Sequence, residues 1–185
     1  MSHRVCPWWV GYFLATPLRR LVHDPATILR PFVTEGMTVV EPGPGMGFFT
    51  MELARLVGRS GRVVAIDVQP KMLVELRRRA GKAGLIDRIE ARHGPGDNLG
   101  IDDLKGRVDF VLAFAVIHEL PSAERFFAEV STALKPGRRF LMAEPRFGIS
   151  AQEFSATLQT ADQNGFRVVS RPVIRWARSA ALVKV

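Results

Sequence analysis

The sequence predicts an α/β fold with a mostly parallel sheet, and three observations carry that prediction. Two largely apolar, β-branched runs, Met37–Val40 and Gly61–Asp67, each lead to a carboxylate, Glu41 in the first case and Asp67 in the second. Between them Phe49, Leu53, Leu56 and Val57 recur at roughly helical spacing. Three alternating glycines, Gly43, Gly45 and Gly47, follow the first run at once. Apolar runs suit strands covered on both faces, as in a parallel sheet with helical crossovers, and the helical spacing gives the crossover an apolar stripe to lay on it.

The turn reads Glu41-Pro42-Gly43-Pro44-Gly45-Met46-Gly47. Glycines lack a Cβ, so they permit a tight strand-to-helix turn and let a ligand lie against the backbone. The first amides of the following segment, Phe48–Val57, would point back at that ligand, which should carry a carboxylate, a ribose or a phosphate. A purely structural turn is the competing reading. Pro42 and Pro44 stiffen the turn without removing a glycine.

Asp67 stands roughly twenty residues past Gly47, a spacing that suits a carboxylate accepting both hydroxyls of a ribose. The alternative is an N-cap for the helix that contains Met72, Leu73 and Leu76. Gln69 and Pro70 intervene, and Pro70 fits the first helical position better. A dinucleotide fingerprint would set its third glycine three positions after the second, whereas these are spaced by two, so no pyrophosphate signature is present.

Further segments follow in order. Ile89–His93 reads as a third strand leading into Gly94-Pro95-Gly96-Asp97-Asn98-Leu99, and Asp109–Phe114 as a fourth. A helix over Ala123–Ala133 and a loop at Leu134-Lys135-Pro136-Gly137 precede a fifth strand, Arg139–Glu144. A helix over Ala151–Asn164 is ended by Gly165 in the manner of a C-cap. Phe166–Trp176 and Ser179–Val185 read as two strands joined by a short turn.

Taken together, these motifs resemble the class I S-adenosylmethionine-dependent methyltransferases from about Met37 to the C-terminus. In layout the chain is similar to the compact group that includes quinone-biosynthesis C-methyltransferases. The resemblance implies a Rossmann-like, seven-stranded, mostly parallel sheet with helices on both faces and an antiparallel C-terminal strand inserted between its neighbours. It implies S-adenosylmethionine as cofactor and S-adenosylhomocysteine as product. Glu41, Gly43, Gly45 and Gly47 then match the family's first motif, Asp67 its ribose-binding acid, and Val68 the residue against the adenine face. Asp97 falls at the adenine-amino contact, with Asn98 and Leu99 offering nearby backbone amides, and Phe114 ends the strand that flanks the methyl group. The Gly-Pro-Gly before Asp97 is longer than the common pattern and affects that residue's register.

With 185 residues and 47% hydrophobic content, the chain is long enough for one full domain and short for two. The expected organisation is a helical extension over residues 1–36 and the methyltransferase domain over 37–185. The extension is rich in aromatics: Trp8, Trp9, Tyr12, Phe13 and Phe32. In related enzymes such an extension lids the cofactor and shapes the acceptor pocket, so Trp8, Trp9 and Tyr12 are candidate substrate contacts; packing on the sheet edge is the competing role. Asp24 followed by Pro25 predicts a cap and first turn for a short helix through Arg30. The apolar run Val5–Leu14 is interrupted by Pro7 and two tryptophans, has no small-x-small cleavage site after it, and is too short to span a bilayer. One cysteine, Cys6, excludes an intramolecular disulfide and makes a reducing cytoplasm the simplest location.

The candidate chemistry follows the fourth strand, in Ala115-Val116-Ile117-His118-Glu119-Leu120-Pro121. Methyl transfer is an in-line displacement on a sulfonium; it needs alignment, and a base only where the acceptor must lose a proton. His118 is the candidate base and acceptor contact, with Glu119 as the second candidate, while capping of backbone groups competes for the histidine. The Asn-Pro-Pro-aromatic motif of base-amino methyltransferases is absent. His3, His23, His93 and His118 are widely spaced, and this reaction needs no metal.

The 26 Lys and Arg exceed the 18 Asp and Glu, giving a net charge of +8. Arg77, Arg78, Arg79 and Lys82 cluster on one predicted helix, either as a solvated face or as a phosphate-binding patch. A basic surface would also favour anionic membrane surfaces, which suits a lipophilic acceptor. A small-molecule acceptor is the favoured expectation. An RNA methyltransferase and a non-catalytic S-adenosylmethionine-binding protein are the alternatives.

Overall fold

The computed structural model describes Arg19 and residues 22–185. These divide into two compact units, one ending at Gly94 and one running from Pro95 to Val185.

The first unit contains α1 (Pro25–Leu29), β1 (Thr38–Pro42), α2 (Thr50–Leu56), β2 (Arg62–Asp67), α3 (Pro70–Lys82) and β3 (Ile89–His93). Asp24 caps α1 as expected: its side chain accepts the amides of Ala26 and Thr27, an arrangement typically worth about 1 kcal/mol. Strand β1 pairs in parallel with β2, and β2 with β3. β1 runs two residues past the predicted end because Glu41 and Pro42 still pair with Ala65 and Ile66. The apolar strand faces are fully buried at Val39, Val40, Val63, Val64 and Ala65, which accounts for their uninterrupted apolar sequence. Pro70 opens α3, with Gln69 at the cap. The helix lays Met72, Leu73, Leu76 and Ala80 inward.

The second unit contains 3-10 turns at Asp102–Leu104 and Ile117–Glu119 together with β4 (Val108–Phe114), α4 (Ala123–Ala133), β5 (Leu134–Pro145), α5 (Ala151–Gln163), β6 (Phe166–Ser170) and β7 (Ala177–Lys184). β4 and β5 are parallel, and β7 runs antiparallel to both β5 and β6, so the C-terminal strand lies between its neighbours as expected. Phe126, Phe127, Phe140 and Phe166 form the aromatic centre of this unit, with contacting ring centroids 5.3–6.0 Å apart. Ser150 and Glu153 make a complete capping box at the start of α5.

Two predicted boundaries in this unit are corrected. The loop expected at residues 134–137 is instead the start of β5: Leu134 pairs with Val108, the chain bulges outward, and pairing resumes at Arg139 with Phe110. The bulge brings Lys135 and Arg138 to the buried Asp109 carboxylate, at 2.7 and 3.4 Å. The strand expected through Trp176 ends at Ser170, because Pro172 has no amide for a ladder and its carbonyl accepts the Ser179 hydroxyl instead. Trp176 then turns the chain with φ at +59°, a left-handed conformation rare for a bulky residue.

The seven strands make the α/β, mostly parallel, Rossmann-like sheet that the sequence predicts. Among the described residues no helix is long and apolar enough to cross a membrane.

Candidate functional site

In the first unit the glycine turn and the two carboxylates form one constellation. Gly43, Gly45 and Gly47 all take positive φ, at 65°, 54° and 85°. A side chain at any of them would strain the turn, which is why this segment alternates glycine. A Cβ at position 47 would also collide with Leu76 Cδ1 of α3, so Gly47 sets how closely the helix approaches the turn. No such contact exists at Gly45, where the turn faces open space.

Asp67, buried at the end of β2, accepts the Gly45 amide through Oδ2 at 3.1 Å and the Gln69 amide through Oδ1 at 2.9 Å. The Gln69 contact is a local turn, so part of the capping alternative is realised, while Gln69 stands at the N-cap position of α3 without a side-chain cap bond. Burial raises the Asp67 pKa, and the two amides oppose that rise. Each carboxylate oxygen retains a lone pair for a further donor.

Glu41 is 3% exposed at the end of β1. Burial pushes its carboxyl up to about 8; the adjacent Thr50 hydroxyl opposes this, the Asp67 charge adds to it, and the Arg19 guanidinium opposes it. The Thr50 contact falls short of full hydrogen-bond geometry, and neither Glu41 Oε2 nor Thr50 Oγ1 has a hydrogen-bond partner. Such atoms are rare in folded proteins and commonly mark a site for a ligand or ordered water. Arg19 lies over the Phe48 ring, 4.4 Å from its centroid, and burial brings its pKa down to about 10.

One arginine of the basic cluster on α3 reaches this turn. Arg79 Nη1 donates to the Met46 carbonyl at 2.6 Å, Arg77 Nη2 to the Ala91 carbonyl at 2.6 Å, and Arg78 pairs with Glu75 at 2.5 Å. Each arginine of the cluster is thus engaged within the fold. Val68, the predicted adenine-face residue, is 39% exposed beside Asp67.

In the second unit the loop before β4 places Asp97 in an exposed ion pair with Arg125, at 3.2 Å. The Leu99 amide, expected to be available to the cofactor, donates to Glu129 Oε2 of α4 at 2.8 Å. The amide contribution expected from Leu99 is therefore corrected: α4 takes it, leaving Asp97 and Asn98 as the candidates from this loop.

At the end of β4, Phe114 is half-buried. Ala115 adopts φ +56°, a strained left-handed conformation, before the turn that carries His118. His118 Nδ1 meets Glu144 Oε2 at 2.5 Å, and Glu144 Oε1 accepts the Ile117 amide at 2.9 Å. Glu144 is buried at the end of β5. Its hydrogen bond raises the His118 pKa above the ordinary value; burial opposes that rise and the charges of Glu144 and Glu119 reinforce it. Glu119 Oε1 lies 3.9 Å from His118 Nε2. The structure therefore joins the two predicted residues, His118 and Glu119, to a third that the sequence reading did not single out. Trp8, Trp9 and Tyr12 lie outside the described residues.

Comparison with known proteins identifies the family and the fold. The profile of the methyltransferase-domain family matches residues 33–174. The ubiquinone/menaquinone biosynthesis C-methyltransferase of Brucella canis is 29% identical over 143 residues, covering 77% of this chain and 51% of that protein. The chain thus spans about half the length of the curated relatives it matches. A SAM-dependent methyltransferase from Aquifex aeolicus superposes with a TM-score of 0.86 at 24% identity, over 98% of this chain and 100% of that one. Geranyl diphosphate C-methyltransferase from Streptomyces coelicolor, solved with Mg2+, geranyl diphosphate and S-adenosyl-L-homocysteine, superposes with a TM-score of 0.75 at 17% identity, over 95% and 82% of the two chains. The chain belongs to the methyltransferase-domain family and has its class I, S-adenosylmethionine-dependent architecture.

Proposed function

We propose that this chain is an S-adenosylmethionine-dependent methyltransferase acting on a small apolar or aromatic acceptor. The observation that carries the reading is the Asp67 to Gly45 hydrogen bond, which ties the glycine turn and the carboxylate of β2 into one ligand cradle. Glu41, Gly43, Gly45, Gly47, Asp67 and Val68 would hold the cofactor from the first unit. Asp97, Asn98 and Phe114 are the contributions assigned to the second. The buried unpartnered oxygen of Glu41 and the remaining lone pairs of Asp67 fit a ligand that offers a cation and hydroxyl donors. The cofactor, when bound, supplies a methyl group activated on a sulfonium.

The chain's own residues orient the reactants and manage any proton. With Nδ1–H donating to Glu144, neutral His118 presents Nε2 as the proton acceptor. The tautomer follows from that hydrogen bond. An acceptor that loses a proton on methylation would pass it to Nε2. An apolar acceptor is favoured because the curated relative at 29% identity is a ubiquinone/menaquinone biosynthesis C-methyltransferase. The RNA alternative is weakened at Arg79, whose guanidinium donates to the Met46 carbonyl of the glycine turn. The lone cysteine favours a reducing, cytoplasmic setting.

Labelled S-adenosylmethionine incubated with apolar small-molecule and RNA fractions tests the proposal. Label in a small molecule supports it. Label confined to RNA selects the first alternative, and cofactor binding without product in any fraction selects the non-catalytic one. In calorimetry, Asp67→Ala should weaken S-adenosylhomocysteine binding by about tenfold or more, the worth of hydrogen bonds to a charged acceptor. Unchanged affinity would remove Asp67 from the site.

A further inference from the structure

The loops after β5 and β6 meet at the edge of the sheet where the His118 turn lies. The first residue of β7, Ala177, pairs with Pro145 at the end of β5, and the Ala115 amide donates to the Ala143 carbonyl at 2.7 Å. Segments 146–149 and 171–176 brace each other there: the Arg146 amide donates to the Trp176 carbonyl at 2.8 Å, and Arg178 Nη1 to the carbonyls of Ile149 at 2.7 Å and Arg146 at 3.3 Å. Ile174 is buried and anchors the second segment. The two loops nonetheless turn large apolar side chains outward, with Phe147 80%, Val173 98% and Trp176 50% exposed. Single apolar residues are ordinary on a surface; a group of them on two mutually braced loops marks an interaction surface.

Charge narrows the partner. Exposed Arg146 precedes Phe147 in the first loop, and exposed Arg171 and Arg175 bracket Val173 in the second. The Arg175 guanidinium lies over Trp176, 4.8 Å from the ring centroid. No Asp or Glu follows Asp162 in the chain, and the flanking acids Glu144 and Glu153 are engaged by His118 and Ser150. Apolar tips, an indole beside a cation and an excess of arginine together suit an anionic bilayer: the acyl boundary takes the tips, the headgroup level the indole, and the phosphates the guanidinium groups. Nucleic-acid bases would stack on the two rings but give Val173, the most exposed of the three, nothing to pack against. We infer that this loop pair docks the protein on an anionic lipid surface, with Phe147, Val173 and Trp176 entering the interface and Arg146, Arg171 and Arg175 meeting lipid phosphates. The docked edge carries His118, which puts the turn assigned to proton transfer on the lipid side of the second unit.

Vesicle flotation reads this binding without any methyl acceptor, so its outcome is separate from that of the acceptor reading. The parent should float with phosphatidylcholine vesicles that contain phosphatidylglycerol, far less with phosphatidylcholine alone, and salt should weaken the binding. Phe147→Ser combined with Val173→Ser should lower vesicle affinity about tenfold or more, with an unchanged melting temperature because both side chains are exposed. Arg171→Gln combined with Arg175→Gln should lower it by a similar factor. Lys105→Gln combined with Arg107→Gln makes the same charge change before β4, at the opposite end of the strands, and should leave affinity within about twofold. Equal losses from the two charge pairs would reduce the effect to net charge and overturn the inference, as would a parent that does not bind anionic vesicles. If Phe147→Ser with Val173→Ser keeps vesicle binding but abolishes tRNA binding, or a dimer seen by light scattering, the surface belongs to nucleic acid or to a second copy of the chain, and the inference falls.

Discussion

Two glutamates, one in each unit, end neighbouring kinds of strand and are equally buried, yet they are treated in opposite ways. Glu144 has both oxygens engaged, one by the Ile117 amide and one by His118. Glu41 has an unpartnered oxygen and a pKa pushed up to about 8. A buried carboxylate with partners is a structural and positioning element; one without them is held ready for something the chain does not itself contain. The comparison assigns Glu144 to orienting the loop after β4 and Glu41 to receiving ligand.

The largest effect should come from breaking the satisfied side. Glu144→Ala leaves the Ile117 amide buried without an acceptor and His118 without its carboxylate, and urea unfolding should show a loss of about 3 kcal/mol. Glu144→Gln should lose less, because the amide oxygen can still accept from Ile117. A negligible loss in Glu144→Ala would erase the contrast. Glu41→Gln should do the reverse and stabilise the ligand-free protein by on the order of 2 kcal/mol at pH 8, with the advantage shrinking towards pH 5. The sign follows from the raised folded pKa: from the ordinary 4.5 to about 8 the folded state holds a proton that the unfolded chain releases, so stability falls as pH rises through that window.

His118 bends the pH profile in the same direction. Its folded pKa lies above the ordinary 6.5, so its contribution is full below 6.5 and disappears as pH rises through the folded value. Glu144→Gln should therefore lower the His118 pKa, read by NMR titration of the ring protons. The rate of a proton-releasing methyl transfer should rise with pH through the His118 pKa in the parent and through a lower one in the variant. An unmoved titration would detach Glu144 from His118. A smaller effect is expected at the turn, where Gly47→Ala forces a positive φ on alanine and presses Leu76, costing about 1–2 kcal/mol and weakening cofactor binding.

Much of this fold could be read from the sequence because strands β1, β2 and β4 are largely apolar and buried and several helices carry plain start signals. Pro70 opens α3, Asp24–Pro25 opens α1, and Gly165, with φ +82°, follows the cap of α5, all as predicted. The glycine turn and Asp67 were legible for the same reason, since local backbone chemistry fixes them. The Glu144–His118 pair was not, because it joins residues 26 apart in sequence. A signal existed: with β4 and β5 parallel and Phe114 opposite Ala143, Glu144 falls beside the start of the His118 loop. Arg19 had no such marker, and its placement depends on the rings of Phe48 and Phe49. β6 ends at Ser170 although apolar residues continue past Pro172, because the missing proline amide decides.

The claim that Glu41 is held for a ligand cation is tested most directly by counting protons during binding. At pH 7 a carboxyl titrating near 8 is mostly protonated, and pairing with an ammonium requires its ionised form. Calorimetry of S-adenosylhomocysteine in two buffers of different ionisation enthalpy should show release of most of one proton by the parent and almost none by Glu41→Gln. Binding enthalpies that are independent of buffer in the parent would contradict the account.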